Sequence, residues 1–181
     1  MKKQLLALAA MTLLSAGCAK QTATTGTDST STNSNQTADN KDRVKKVYDI
    51  FNAKDFAKLD SFIAPDFVDH DPSPGQLPGL DGVKKSFVEF QKGFPDFHFT
   101  TDQLVAEGDL VAVHYRMTAT NSGPMMNMPP TNKKVDVSGM DLIRIKNGKA
   151  VERWGVQDNW LMMKQLGMMP GHDSTMAHKK K

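Results

Sequence analysis

Cysteine is almost absent from this chain. One residue, Cys18, is the whole complement of 181, so no disulfide can form within the chain and its folded part must be held by an apolar core alone. Long apolar runs are scarce as well. The run from Leu5 to Leu14 is about half the roughly 20 residues a helix needs to cross hydrocarbon, which argues against a permanent transmembrane helix. Nor is there an excess of one charge. The formal net charge is +3 and falls to +1 without Lys2 and Lys3, so nothing asks for a nucleic-acid partner. The one basic cluster, Lys179–Lys181, reads as a solvated tail. What is present, a hydrophobic fraction of 39%, suits one globular domain with extensions.

The first residues carry an address. Lys2 and Lys3 precede the apolar run, and small residues Ser15, Ala16 and Gly17 precede Cys18, the order of a signal peptide. The segment "LLSAGC" resembles a bacterial lipobox. The resemblance implies removal of residues 1–17 and acylation of Cys18, which would account for the solitary thiol as an anchor. Several acyl chains at about 0.8 kcal/mol per buried methylene hold a protein where one chain binds only reversibly. The expected location is the cell envelope, by way of a lipid, and the outer membrane if the source has one, because Ala19 rather than Asp follows the cysteine. Residues 18–38 are rich in Thr, Ser, Asn and Gln without an apolar period and read as a disordered tether. The folded domain is expected over 39–167, with a polar tail over 168–181.

Within the domain, Val44, Val47, Tyr48 and Phe51 recur at helical spacing after a candidate N-cap, Asp39. Phe56, Leu59 and Phe62 suggest a short helix ahead of Pro65. Val83, Phe87, Phe90 and Phe94 suggest a third, stopped by Pro95. Strands follow at Phe97–Glu107 and Leu110–Thr120, joined at Gly108-Asp109, and after a loop rich in Pro and Met at Val135–Ile145 and Ala150–Gln157, joined by Asn147-Gly148. A closing helix is expected at Asn159–Leu166 with Gly167 as its C-cap. Helices first and an antiparallel sheet afterwards imply an α+β domain with helices on one face of a curved sheet.

Five segments carry a family resemblance in order and spacing: "FVDHDP" at Phe67–Pro72, "GFPDFHF" at Gly93–Phe99, "EGDLVAVHYRMT" at Glu107–Thr118, "PPT" at Pro129–Thr131 and "MDLIRIKNGKAVERWGVQDNWLMMKQLG" at Met140–Gly167. Together they resemble the SnoaL-like polyketide and ester cyclases. The resemblance implies the cone of nuclear transport factor 2-like proteins, commonly a homodimer, with a pocket on the concave side of the sheet. It also implies chemistry that uses no metal and no organic cofactor, on a small hydrophobic or carbonyl-containing molecule.

Alternation along the last strand places Glu152, Trp154, Val156 and Asp158 on one face and Val151, Arg153 and Gly155 on the other. The resemblance makes Asp158 the general acid/base, helped by a polar group at His70 and by a pocket Trp or Arg. The residues expected to bind substrate are Trp154 and Glu152, which share the face of Asp158, with Arg144, His114 and Met140. Proton transfer beside a carbonyl needs a base tuned toward neutrality by apolar surroundings. Asp158 also has a structural reading, as N-cap of the closing helix. In Asp69-His70-Asp71 a strand would turn His70 away from both aspartates, so the three cannot chelate one ion. Two functions fit: a cofactor-free acid/base enzyme, or a surface-tethered binding module without catalysis.

Overall fold

The computed structural model describes residues 29–125 and 129–169. The expected signal peptide, Cys18 with its expected acylation, Met126, Met128 and the tail beyond Met169 fall outside those residues.

Helix α1, Ser29–Ala53, buries Val44, Val47, Tyr48 and Phe51, the set their spacing predicts. Its start departs from expectation. The helix begins ahead of Asp39, so Ser29–Ala38 is helical where a disordered tether was expected. Short polar residues within a helix cost only some tenths of a kcal/mol each. Extending a helix whose later turns are docked also avoids the cost of a nucleus. Asp39 is therefore an exposed interior residue, and the next one, Asn40, is buried with its amide donating to Gly108 O at 3.2 Å.

A 3-10 helix at Phe56–Ser61 buries Phe56 and Leu59. Phe62, expected to extend it, is instead the turn into strand β1, Ile63–Asp69. Pro65 and Asp66 hide this strand from a reading of apolar periodicity. Proline is tolerated because β1 lies at the edge of the sheet. Helix α2, Gly79–Gly93, ends one residue before Phe94, which is fully buried at its C-cap. Strands β2 (His98–Glu107), β3 (Leu110–Thr120), β4 (Lys134–Lys146) and β5 (Lys149–Gln157) and helix α3 (Asn159–Leu166) fall within one or two residues of expectation.

The five strands form one sheet in the order β1-β5-β4-β3-β2. Every pairing is antiparallel except β1 with β5. Helix α1 packs on β2 and β3, and α2 on β1. The core lies between these helices and one face of the sheet, where β3 contributes Val111, Val113, Tyr115 and Met117 and β4 contributes Val135, Val137, Ile143 and Ile145. Helix α3 closes the far end, where β5 stops and β4 continues. There the Gln165 amide takes the place of a missing strand, accepting from Asp136 N at 2.8 Å and donating to Asp136 O at 3.0 Å.

Candidate functional site

The helix-covered face is apolar except along β5 and the middle of β4. Asp141, on β4, is 7% exposed. It accepts from the Tyr48 hydroxyl on α1 at 2.5 Å and from Arg153 Nη2 on β5 at 2.8 Å. The other end of the guanidinium donates to Asp69, at the end of β1, at 2.9 Å. Asp69 in turn accepts from Gln76 Nε2 at 2.9 Å. Three strands and a helix thus meet through one arginine.

Two glycines make room for this. Register pairs Gly155 with Asp141 and Gly139 with Gln157. A Cβ at Gly155 would collide with the Arg153 guanidinium and the Asp141 carboxylate, and one at Gly139 with the ring and hydroxyl of Tyr115. Tyr115 and Arg153 can therefore lie flat against the sheet. The Tyr115 hydroxyl reaches Gln157 at 3.4 Å, and the Gln157 amide reaches Asn159 at 3.4 Å and the Met162 sulfur at 3.7 Å. These bonds are long beside those of Arg153, so Tyr115 and Gln157 hold polar groups that a ligand could take over.

Electrostatics follows from burial. Burial first, then the Asp141 carboxylate, pushes the Tyr48 phenol well above its ordinary range, and its hydrogen bond to Asp141 adds to that. Tyr115 is raised by burial and Asp141, with Arg153 opposing. Burial works against the charge on Arg153, but Asp141 and Asp69 outweigh it and hold the guanidinium above its usual range. Among the described residues no buried side-chain polar atom lacks a partner. An open cavity of about 460 Å³ at the free edge of β1 adjoins Asp69 and Gln76 and is otherwise lined by Pro65, Phe67, Leu77 and Pro78 among others.

Most of the residues singled out from sequence lie on the opposite face. The expected alternation holds within β5, which ends at Gln157 ahead of Asp158, and register sets Glu152 against Arg144, Trp154 against Leu142, Val156 against Met140 and Met140 against His114. These side chains share the face that α1 and α2 leave uncovered, with Met140 50% and Val156 68% exposed. Trp154 and Glu152, expected to bind substrate, thus lie on the face turned away from α1 and α2. Alternation tells which residues share a face, not which face the helices take. His70 does turn away from Asp69, as expected. It stacks on Trp154 with ring centroids 4.4 Å apart and places Nε2 3.2 Å from Glu152. Arg144 bridges Glu152 at 3.1 Å and Asp109 at 2.9 Å, and His114 pairs with Asp102 at 3.2 Å.

Asp158 has the capping role. Its Oδ1 accepts from Leu161 N at 2.8 Å, and the residue is exposed. Among the described residues no set of three His, Cys, Asp or Glu could hold a metal ion.

Tyr48, Asp141 and Arg153 escaped notice as site residues. The available signal was Asp141 within an apolar strand, opposite a glycine. Asn121 was also missed. Fully buried, it donates to Gly93 O and Gly123 O and accepts from Thr131 N, so it ties both ends of the 121–133 loop to α2.

A family model described as SnoaL-like polyketide cyclase matches residues 41–166. IdmH of Streptomyces antibioticus is 33% identical, with a TM-score of 0.64 over 71% of this chain and 98% of that one. TsrD of Streptomyces laurentii is 23% identical, with a TM-score of 0.67 over 73% and 97%. A SnoaL-like polyketide cyclase of Agrobacterium tumefaciens is 22% identical, with a TM-score of 0.61 over 71% and 98%. The last two resemblances speak to fold alone. No protein with a curated description matches the chain in sequence.

Proposed function

Since the chain belongs to the SnoaL-like polyketide cyclase family, we propose that its domain binds a small carbonyl compound on the helix-covered face of the sheet and moves a proton there without a cofactor. The observation that carries this reading is the polar cluster of Tyr48, Asp141, Arg153 and Asp69, set in an otherwise apolar face. Burying such a cluster costs desolvation that apolar residues would avoid, so it calls for a use. Tyr115 and Gln157 supply exchangeable hydrogen bonds for a ligand oxygen.

The proton acceptor we assign is Asp158, next to Gln157 in the chain. Asp141 and Asp69 have both oxygens engaged, whereas Asp158 uses one on Leu161 N, and its second oxygen has no partner among the described residues. One observation favours the other reading, a binding module without catalysis. Asp158 is exposed and already serves as the N-cap of α3.

The test is deuterium uptake from heavy water into the methyl group of acetophenone, followed by proton NMR with the wild type and with Asp158→Asn. Asparagine still caps the helix, so stability should change by less than about 1 kcal/mol. Loss of a general base slows exchange by about a hundredfold to ten-thousandfold. Equal rates for the two proteins would leave only the binding module.

The setting we propose is the cell envelope, with the chain exported through its N-terminal signal and anchored by acylated Cys18. The uncovered face, with Met140, Leu142, Val156 and Trp154, is the surface we assign to a homodimer. A contiguous apolar patch of this kind on an unpartnered sheet marks an association surface.

A further inference from the structure

We infer that the site takes an uncharged carbonyl compound and rejects the corresponding carboxylate, a narrowing that rests on the proposed ligand reading. Charge around the cluster is lopsided. Arg153 is its one cation, and it is shared between two carboxylates, Asp69 at 2.9 Å and Asp141 at 2.8 Å. A third carboxylate, Asp71, stands at the same end of β1 and accepts from Gly155 N at 2.9 Å, on the stretch of β5 between Arg153 and Gln157. Two carboxylates therefore flank one guanidinium, and a third stands at the neighbouring stretch of β5. The cavity that adjoins Asp69 has the same sign, since its lining includes Asp66 and Asp69 and no Lys, Arg or His.

Arginine is the usual means of gripping an anionic ligand through a bidentate fork. Here both ends of that fork are already taken by protein carboxylates. An incoming carboxylate would have to displace one of them and leave it unpaired in a partly buried place, where an isolated charge is costly. It would also meet the repulsion of the remaining two. At an effective dielectric constant of about 20 that repulsion is far from negligible over a few ångströms. A ketone or ester of the same shape meets neither obstacle. Its oxygen can accept from the Tyr115 hydroxyl or the Gln157 amide, whose present bonds are the long ones of the site, while its body packs against the partly buried Met162 beside Gln157.

Acetophenone and benzoate make a matched pair, with the same ring and carbonyl and differing in a methyl group against an anionic oxygen. Titration of the full chain, followed by ligand-observed NMR, should give acetophenone an affinity at least about tenfold above that of benzoate at neutral pH and low salt. Added sodium chloride should narrow the gap by screening. Asp69→Asn, which removes one of the three negative charges, should bring benzoate to within about threefold of acetophenone. Equal or tighter binding of benzoate by the wild type would overturn the inference while leaving the ligand reading intact. If neither compound binds at millimolar concentration, the ligand reading itself fails and the inference falls with it. The wild-type comparison stands even if Asp69→Asn does not fold.

Discussion

Alkali is the most direct probe of the inner cluster, because the chain has only two tyrosines, Tyr48 and Tyr115, and both are buried there. Burial and then the Asp141 carboxylate raise both phenols above their ordinary value. In the unfolded chain both titrate near pH 10. A group whose pKa is raised on folding stabilises the fold fully below its unfolded pKa, and that stability is lost as the pH rises from there toward the folded value. Each phenol then contributes a slope of about 1.4 kcal/mol per pH unit, so the two together remove about 2.7 kcal/mol per unit above about pH 10. A domain with about 5 kcal/mol in reserve would unfold about two units later, near pH 12. The assay is phenolate absorbance in the near ultraviolet beside far-ultraviolet circular dichroism. At about pH 11 the native protein should have no phenolate signal, and both phenols should then appear in one step together with loss of the dichroism. Tyr48→Phe should halve the amplitude and the slope. A phenol that ionises near pH 10 while the dichroism stays constant would refute the reasoning.

Acid should act through Asp96, Asp109 and Asp136. Burial opposes the charge on Asp96 but the Thr120 N–H outweighs it, Arg144 holds Asp109 down, and Arg116 holds Asp136 down. Their contribution is present above the ordinary aspartate range and is lost as the pH falls below about 4, measured as falling resistance to urea, with the two exposed arginine pairs weakening in salt. Cys18→Ser should abolish labelling with radioactive palmitate and move the protein out of the membrane fraction; unchanged fractionation would dismiss the anchor. Val156→Glu, placed at the centre of the uncovered face, should convert a dimer to a monomer in sedimentation velocity without loss of helix, and an unchanged sedimentation coefficient would remove that face as the interface.

Much of the fold was legible because its signals are local. The spacing of Val44, Val47, Tyr48 and Phe51 fixes one helix face, Asn147-Gly148 fixes a hairpin, with Asn147 at φ 50° and Gly148 at φ 75° as such a turn demands, and Gly167 at φ 74° ends α3. Strand β1 was not legible, because parallel pairing with β5 is a contact between residues far apart in sequence and Pro65 breaks the local pattern. The site was legible only in half. A period of two grouped Glu152, Trp154 and Val156 correctly, yet an inward Arg153 and an outward Trp154 contradict the ordinary rule of polar outside and apolar inside. Nothing in a single strand reveals that reversal. It becomes visible when Asp141 on β4 and Tyr48 on α1 are brought to the same place.

The reversal has a physical logic. A sheet in a two-layer domain has one face sealed by helices, and that is where a ligand can be kept from water, so hydrogen-bonding groups for the ligand must lie there although the core is otherwise apolar. Those groups are tolerable only when they satisfy one another in the absence of ligand, which is what the chain from Tyr48 through Asp141, Arg153 and Asp69 to Gln76 accomplishes. The other face needs no such groups and carries Trp154, Leu142 and Met140 beside the exposed pairs of His114 with Asp102 and Arg116 with Asp136. Asp158 stands where the two arrangements meet. It follows the last inward residue of β5, Gln157, and begins the helix that closes the open end, so on the proposed reading a change there reaches the cap first and the ligand second, and only a substitution that preserves the cap can tell the two roles apart.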